Sequence, residues 1–240
     1  MTNKEVMYPV YDNGELHIAI SKGNQKMGNI PAFNLLPSNE PLKLNNGTQL
    51  TNIIGTCGKH CKSCKDDCYA IRYIKQRHNS CVTPYAGNTI IMRNDPKKLY
   101  DEIKEFCDKN IVKYFRFHTS GELESFEQFC NYCNICDNNP DVVFYIYTKA
   151  FEILEKYLEK YEKFPSNLVV NLSEWNGNLK EVPFSIVGKC SVFMYDDGSQ
   201  DLSKITHCPA VDKDGHETGI TCAMCRRCMK KRNITAVYAH

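Results

Sequence analysis

The sequence predicts an α/β fold built on a parallel sheet with alternating helices. Two observations carry this. From residue 114 onward, short runs of β-branched and aromatic residues recur, as strands require. Between them lie segments whose apolar residues repeat at helical spacing. Strands separated by helices of this length imply right-handed βαβ units, in an open doubly wound sheet or a partial barrel.

The elements follow in order. Residues 1–50 are rich in Asn, Gly and Pro and read as a loop-rich lead-in with one strand at Leu16–Ile20. Residues 51–200 form the α/β core. Within it Thr51–Gly55 is a short apolar strand that ends at the first cysteines. Pro96–Lys109 is a helix with Asp95 as N-cap before the proline. Tyr114–His118 is a strand, followed by a helix over Leu123–Cys136. Val142–Tyr147 is a strand, and Ala150–Tyr161 an amphipathic helix with Phe151, Leu154 and Leu158 on one face. Leu168–Leu172 and Ser191–Tyr195 are strands. Residues 201–240 form a C-terminal segment packed on the core: Cys208–Cys228 is loop-like, and Ile234–Tyr238 is a short strand. There is no internal repeat.

The chain has 240 residues, 42% hydrophobic and 24% charged, with a net charge of +2. That balance points to neither nucleic acid nor an anionic membrane as partner. The basic runs Lys59–Lys65 and Arg226–Arg232 are interleaved with cysteines and read as an offset to negative charge there. No apolar run approaches the ~18 residues of a membrane span, and the N-terminus has no signal-peptide core. The expected compartment is the cytosol. In a reducing cytosol, 14 cysteines are explained by metal or redox chemistry rather than disulfides.

Eight of the cysteines fall into two groups. The first is Cys57-x3-Cys61-x2-Cys64-x3-Cys68. The second is Cys208 followed by Cys222-x2-Cys225-x2-Cys228. A tight triple run plus one remote cysteine is the ferredoxin manner of holding a [4Fe–4S] cluster. Structural zinc prefers two separated pairs. Cys130, Cys133 and Cys136 form another triple run, but on a helix shared with Phe126 and Phe129, where they read as core. Cys81, Cys107 and Cys190 are isolated, with Cys81 or Cys190 as an extra ligand at most.

Ligands in parallel α/β folds bind beyond the C-terminal ends of strands. Those ends carry Ser120, Gly121 and Glu122, then Lys149, then Glu174. Each alone has a plainer reading: Glu122 suits a helix N-terminus, and Lys149 suits solvent. His60, His118, His207, His216 and His240 are candidate ligands or proton carriers.

Cys57-x3-Cys61-x2-Cys64 resembles the cluster motif of radical S-adenosylmethionine (SAM) enzymes, and Ser120-Gly121-Glu122 sits where that family binds the SAM amino group. This resemblance implies a partial (β/α) barrel, a [4Fe–4S] cluster with one open iron, and SAM as cofactor. Ser63, Ser120 and the extra Cys68 depart from the pattern. A fuller set of motifs resembles the phage gene-product-88 family: Cys64-x3-Cys68-Tyr69-Ala70, Phe115 to Glu122, Pro140 to Lys149, Cys208-Pro209-Ala210, Cys222 to Cys228, and Val237 to His240. That resemblance implies a phage protein in a bacterial host cytosol, with cysteine-bound metal. It implies that Cys64 and Cys68 both matter, with Cys57 or Cys61 as third partner.

The expected function is an iron–sulfur protein with two [4Fe–4S] clusters, a radical-SAM-like or redox enzyme acting on an unidentified small molecule or redox partner. Gly121 and Glu122 would line its pocket; Lys149 and Glu174 would form the wall. The rival readings are a non-enzymatic electron-transfer or structural iron–sulfur protein, and a zinc-stapled binding module.

Overall fold

The computed structural model describes residues 14–58, 64, 68–175, 177, 180, 182–186 and 188–238. Among them seven strands form one sheet in sequence order: β1 (Ile20–Ser21), β2 (Ala32–Phe33), β3 (Tyr114–Phe117), β4 (Val143–Thr148), β5 (Leu168–Glu174), β6 (Ser191–Asp196) and β7 (Ile234–Tyr238). β1 pairs antiparallel with β2, and every other pairing is parallel. The strand order never reverses, so the doubly wound alternative does not apply.

The helices are α1 (Tyr69–Gln76), α2 (His78–Asn94), α3 (Pro96–Lys109), α4 (Phe126–Asp137), α5 (Phe151–Tyr161) and the single turn α6 (Cys222–Cys225). α3 begins as expected, with the Asp95 carboxylate accepting from the Lys98 amide at 2.9 Å. α4 starts three residues later than expected because Ser125 is its cap, accepting from the Gln128 amide at 3.0 Å.

Strand alternation divides the sheet's side chains between two environments. Phe115, Phe117, Phe144, Ile146, Val170 and Leu172 join the main core with α3, α4 and α5. Phe117 stacks on Tyr132 of α4 with ring centres 4.2 Å apart. The opposite face carries Tyr145 and Val169, covered by Met27, Ile30 and Met229, with Cys222 and Ala223 packed against them. Cys133 and Cys136 are buried in the main core and Cys130 packs against it. Burial holds the Cys133 and Cys136 thiols well above their usual pKa, as neutral groups.

Two local expectations are corrected. Thr51–Gly55 is not a strand; it is a loop in which Gly55 passes so close to Pro37 that a Cβ would lie 1.9 Å from its carbonyl oxygen. The neighbour of β3 is instead Ala32–Phe33, from the lead-in. The strand expected at Leu16–Ile20 is confined to Ile20–Ser21. α1 and α2 escape the sequence pattern: α2 contains Pro84, and it buries Asn88 and Thr89 on the side facing the lead-in. There the Asn88 amide donates to Ala19 and Asn34 carbonyls, both at 2.8 Å.

Candidate metal centres

The end of β3 is held tightly. His118 has φ +62 and is buried. Its Nε2 meets the Tyr132 hydroxyl at 2.7 Å, and Nδ1 has no partner among the described residues. Burial, reinforced by nearby Arg116, lowers its pKa to about 3. Gly121 follows at φ +90; a Cβ there would lie 2.7 Å from Leu35 Cβ and 2.9 Å from Thr56 Oγ1. Glu122 is buried, and its carboxylate accepts from the Thr148 hydroxyl at 2.6 Å, the Leu123 amide at 2.8 Å and the Lys149 amide at 2.9 Å. It therefore ties the end of β3 to the end of β4.

The first cysteine group lies beside this knot. Cys68 caps α1, and Cys64 and Cys57 are its neighbours. A hydrogen bond from Cys64 and the Ile71 and Ala70 amides of α1 lower the Cys68 pKa below that of an ordinary thiol. Lys149 faces Cys64, and its ammonium is 5.7 Å from the centre of the Trp175 ring, which stacks on Tyr195. Cys61, His60 and His240 lie outside the described residues. Ser120 is buried and its hydroxyl is unpartnered among the described residues. Glu174 is buried at the end of β5. Its Oε1 accepts from the Gly177 amide at 2.7 Å, and its Oε2 has no partner among the described residues.

The second group assembles from three places in the chain. The Cys208 amide donates to the Ala236 carbonyl at 2.7 Å, which fixes it beside β7. The amides of Cys222 and Ala223 donate to the Lys26 and Met27 carbonyls at 2.9 and 3.2 Å, pinning α6 on the lead-in. Arg226 adopts a left-handed conformation at φ +57 and turns the chain, after which the Cys228 carbonyl accepts from Asn171 Nδ2 at 3.1 Å. Cys208, Cys222, Cys225 and Cys228 line one pocket with Tyr145 and Tyr147. The Tyr147 hydroxyl bonds to the Cys228 sulfur, whose pKa burial raises to about 11. The Tyr145 hydroxyl is buried and has no partner among the described residues.

Arg116 stands between the two groups. Its guanidinium lies 4.5 Å from the Tyr147 ring centre and 5.9 Å from that of Tyr145. It neighbours Cys222 and Cys228, and it faces Tyr69, the residue after Cys68, as well as Tyr145. Its Nε donates to the His118 carbonyl at 2.9 Å. No carboxylate of the described residues pairs with it. Sequence reasoning missed Arg116, Tyr145 and Tyr147. The available signal was parity: in β3 and β4 they alternate with the core residues Phe115, Phe117, Phe144 and Ile146.

A single tetrahedral zinc with Zn–S bonds of about 2.3 Å needs its sulfurs about 3.8 Å apart. Among the described residues no three of the cysteine sulfurs are that close; the one group of possible ligands within 4.8 Å of one another is Asp212, Asp214 and His216. That trio sits in a surface turn where the Asp212 carboxylate already accepts the Asp214 and His216 amides. No helix among the described residues is long and apolar enough to cross a membrane.

The family model described as Gene product 88 matches residues 15–233. No curated protein matches the chain significantly, and no solved structure does. The similarity to radical SAM enzymes finds no support in these comparisons.

Proposed function

The chain belongs to the phage gene product 88 family, and from that premise we propose that it is a redox protein holding two cysteine-bound iron–sulfur centres. The observation that carries this reading is the pocket of Cys208, Cys222, Cys225 and Cys228. A partly buried guanidinium without a carboxylate, and a buried hydroxyl without an acceptor, both adjoin it. Leaving either group uncompensated costs free energy. An anionic centre rich in sulfur acceptors would satisfy both. The triple run Cys222-x2-Cys225-x2-Cys228 with one remote cysteine, rather than two separated pairs, favours an extended inorganic core over zinc.

At the other site, Cys57, Cys64 and Cys68, with Cys61, would hold the second centre. The proximity of Cys68 to Cys57 and Cys64 favours four-cysteine closure and hence electron transfer. A second reading has SAM on an iron left open by three cysteines, within a radical-SAM-like partial barrel. It is favoured by the position of this group at the strand ends beside Gly121 and Glu122. Against it, the Glu122 carboxylate already receives three hydrogen bonds from protein donors.

The test is anaerobic purification with iron and acid-labile sulfide analysis, followed by EPR of the reduced protein. About eight irons and eight sulfides per chain are expected for two [4Fe–4S] clusters. Zinc as the main metal overturns the reading. A change in the EPR signal on adding SAM, with 5′-deoxyadenosine formed under reductant, selects the second reading.

A further inference from the structure

The charge of this chain is unevenly placed. Of its 30 Lys and Arg residues, five lie between Arg226 and Arg232, whereas none of its 28 Asp and Glu residues lies beyond Glu217. Residues 1–217 are therefore net negative and the segment that carries Cys222, Cys225 and Cys228 is positive, while Asp212, Asp214 and Glu217 lie in the turn after Cys208. Arg226, Lys230, Lys231 and Arg232 are exposed, and no ion pair involves them among the described residues. Within the same segment three apolar side chains face solvent: Met224 is 67% exposed, Ile234 47% and Ile220 37%. Met224 stands on α6, between two of the pocket cysteines in sequence.

Exposed apolar side chains within a cationic segment that holds no carboxylate suit a protein interface better than a merely solvated face. The same segment carries Cys222, Cys225 and Cys228, and Arg226 lines their pocket, which identifies what a partner would gain by docking there. We propose that this surface receives an acidic one-electron carrier protein, which exchanges electrons with the centre held by the second cysteine group. This rests on the iron–sulfur reading above. In the transfer the reduced carrier loses one electron and the oxidised [4Fe–4S]2+ centre gains it to become [4Fe–4S]+. No bond forms or breaks, and no proton moves. The carrier's negative charge supplies both orientation and rate, because opposite surface charges accelerate encounter in a salt-dependent manner. Nucleic acid is the other polyanion such a surface would attract, but the three exposed apolar groups offer it nothing.

The experiment uses the iron-loaded full chain and a reduced, acidic [2Fe–2S] ferredoxin, with cluster bleaching followed by stopped flow at low ionic strength. The expected result is a second-order rate that falls at least tenfold in the Lys230→Glu/Lys231→Glu double variant and in 0.5 M NaCl. Met224→Glu should also slow it, while the extent of reduction by excess dithionite stays unchanged in every variant. A ferredoxin rate insensitive to the charge reversals overturns the docking surface. So does a double variant that keeps its ferredoxin rate but loses affinity for a short DNA duplex. A chain that shows no bleachable absorbance at all, even with dithionite, removes the iron–sulfur reading and this inference with it.

Discussion

The Arg116 guanidinium lies over the Tyr147 ring, 4.5 Å from its centre, on the face of the sheet where the Tyr147 hydroxyl meets the Cys228 sulfur. A cation and a hydrogen-bond donor thus converge on one cysteine from the same strand pair. Both favour negative charge at that point, and reduction of an iron–sulfur centre adds one.

On the iron–sulfur reading proposed above, replacing Arg116 with Gln makes the second centre harder to reduce. The expected change in its midpoint potential is on the order of 60 mV downward, the one-electron equivalent of a tenfold change in equilibrium. An EPR-monitored redox titration measures it, and Arg116→Lys should recover part of the difference.

Tyr145→Phe separates the metal-free from the iron-loaded protein. Removing an unpartnered buried hydroxyl should stabilise the metal-free chain by about 1 kcal/mol. In the iron-loaded chain that gain disappears, because the hydroxyl then has an acceptor. Urea denaturation of both forms, under strict anaerobiosis, gives the comparison.

The two C-x2-C-x2-C runs should respond in opposite ways. Cys133→Ala removes a core sulfur and costs about 1–2 kcal/mol of stability, with iron content unchanged. Cys228→Ala should lower iron by about half with a smaller effect on metal-free stability. Iron analysis beside a denaturation curve for each variant distinguishes them.

Gly121→Ala should be among the most disruptive small substitutions. The new Cβ meets Leu35 and Thr56 at contact distances no real structure tolerates, at a φ of +90. A loss of about 2–4 kcal/mol follows from strain and overpacking together. Because Glu122 is the next residue, the Glu122–Thr148 bond should loosen as well, visible as faster amide exchange at Lys149.

His118 contributes a pH dependence. Its pKa falls from an ordinary value near 6.5 to about 3 in the folded chain, so the unfolded chain takes up the proton first. The contribution is complete above about pH 6.5 and is lost progressively as pH falls toward 3. By pH 5 the loss is about 2 kcal/mol, at 1.36 kcal/mol per unit. Denaturation midpoints at pH 7.5 and 5 should differ more for the natural chain than for His118→Asn.

Much of the architecture is local and was legible from residue order. Asp95 before Pro96 marks the start of α3, and Val142 to Tyr147 reads as a strand, one residue ahead of the observed Val143–Thr148, because caps and period-two patterns act over a few residues. The two-residue strand Ala32–Phe33 carries no period at all, so the neighbour of β3 was invisible. α2 hides its helix behind Pro84 and a buried polar face made by Asn88 and Thr89, which only the lead-in's backbone explains.

The sequence by itself determined the alternation of strands and helices, the core character of Cys133 and Cys136, and the grouping of Cys222, Cys225 and Cys228, since spacing along a chain is a covalent property. Only the tertiary structure decided that Tyr145 and Tyr147 share a pocket with those cysteines, that Glu122 binds the end of β4, and that Arg116 stands between the two cysteine groups. Those relations depend on which face of the sheet each alternate residue takes and on which distant segment covers it. Strand register and long-range packing set both, and no local pattern encodes them.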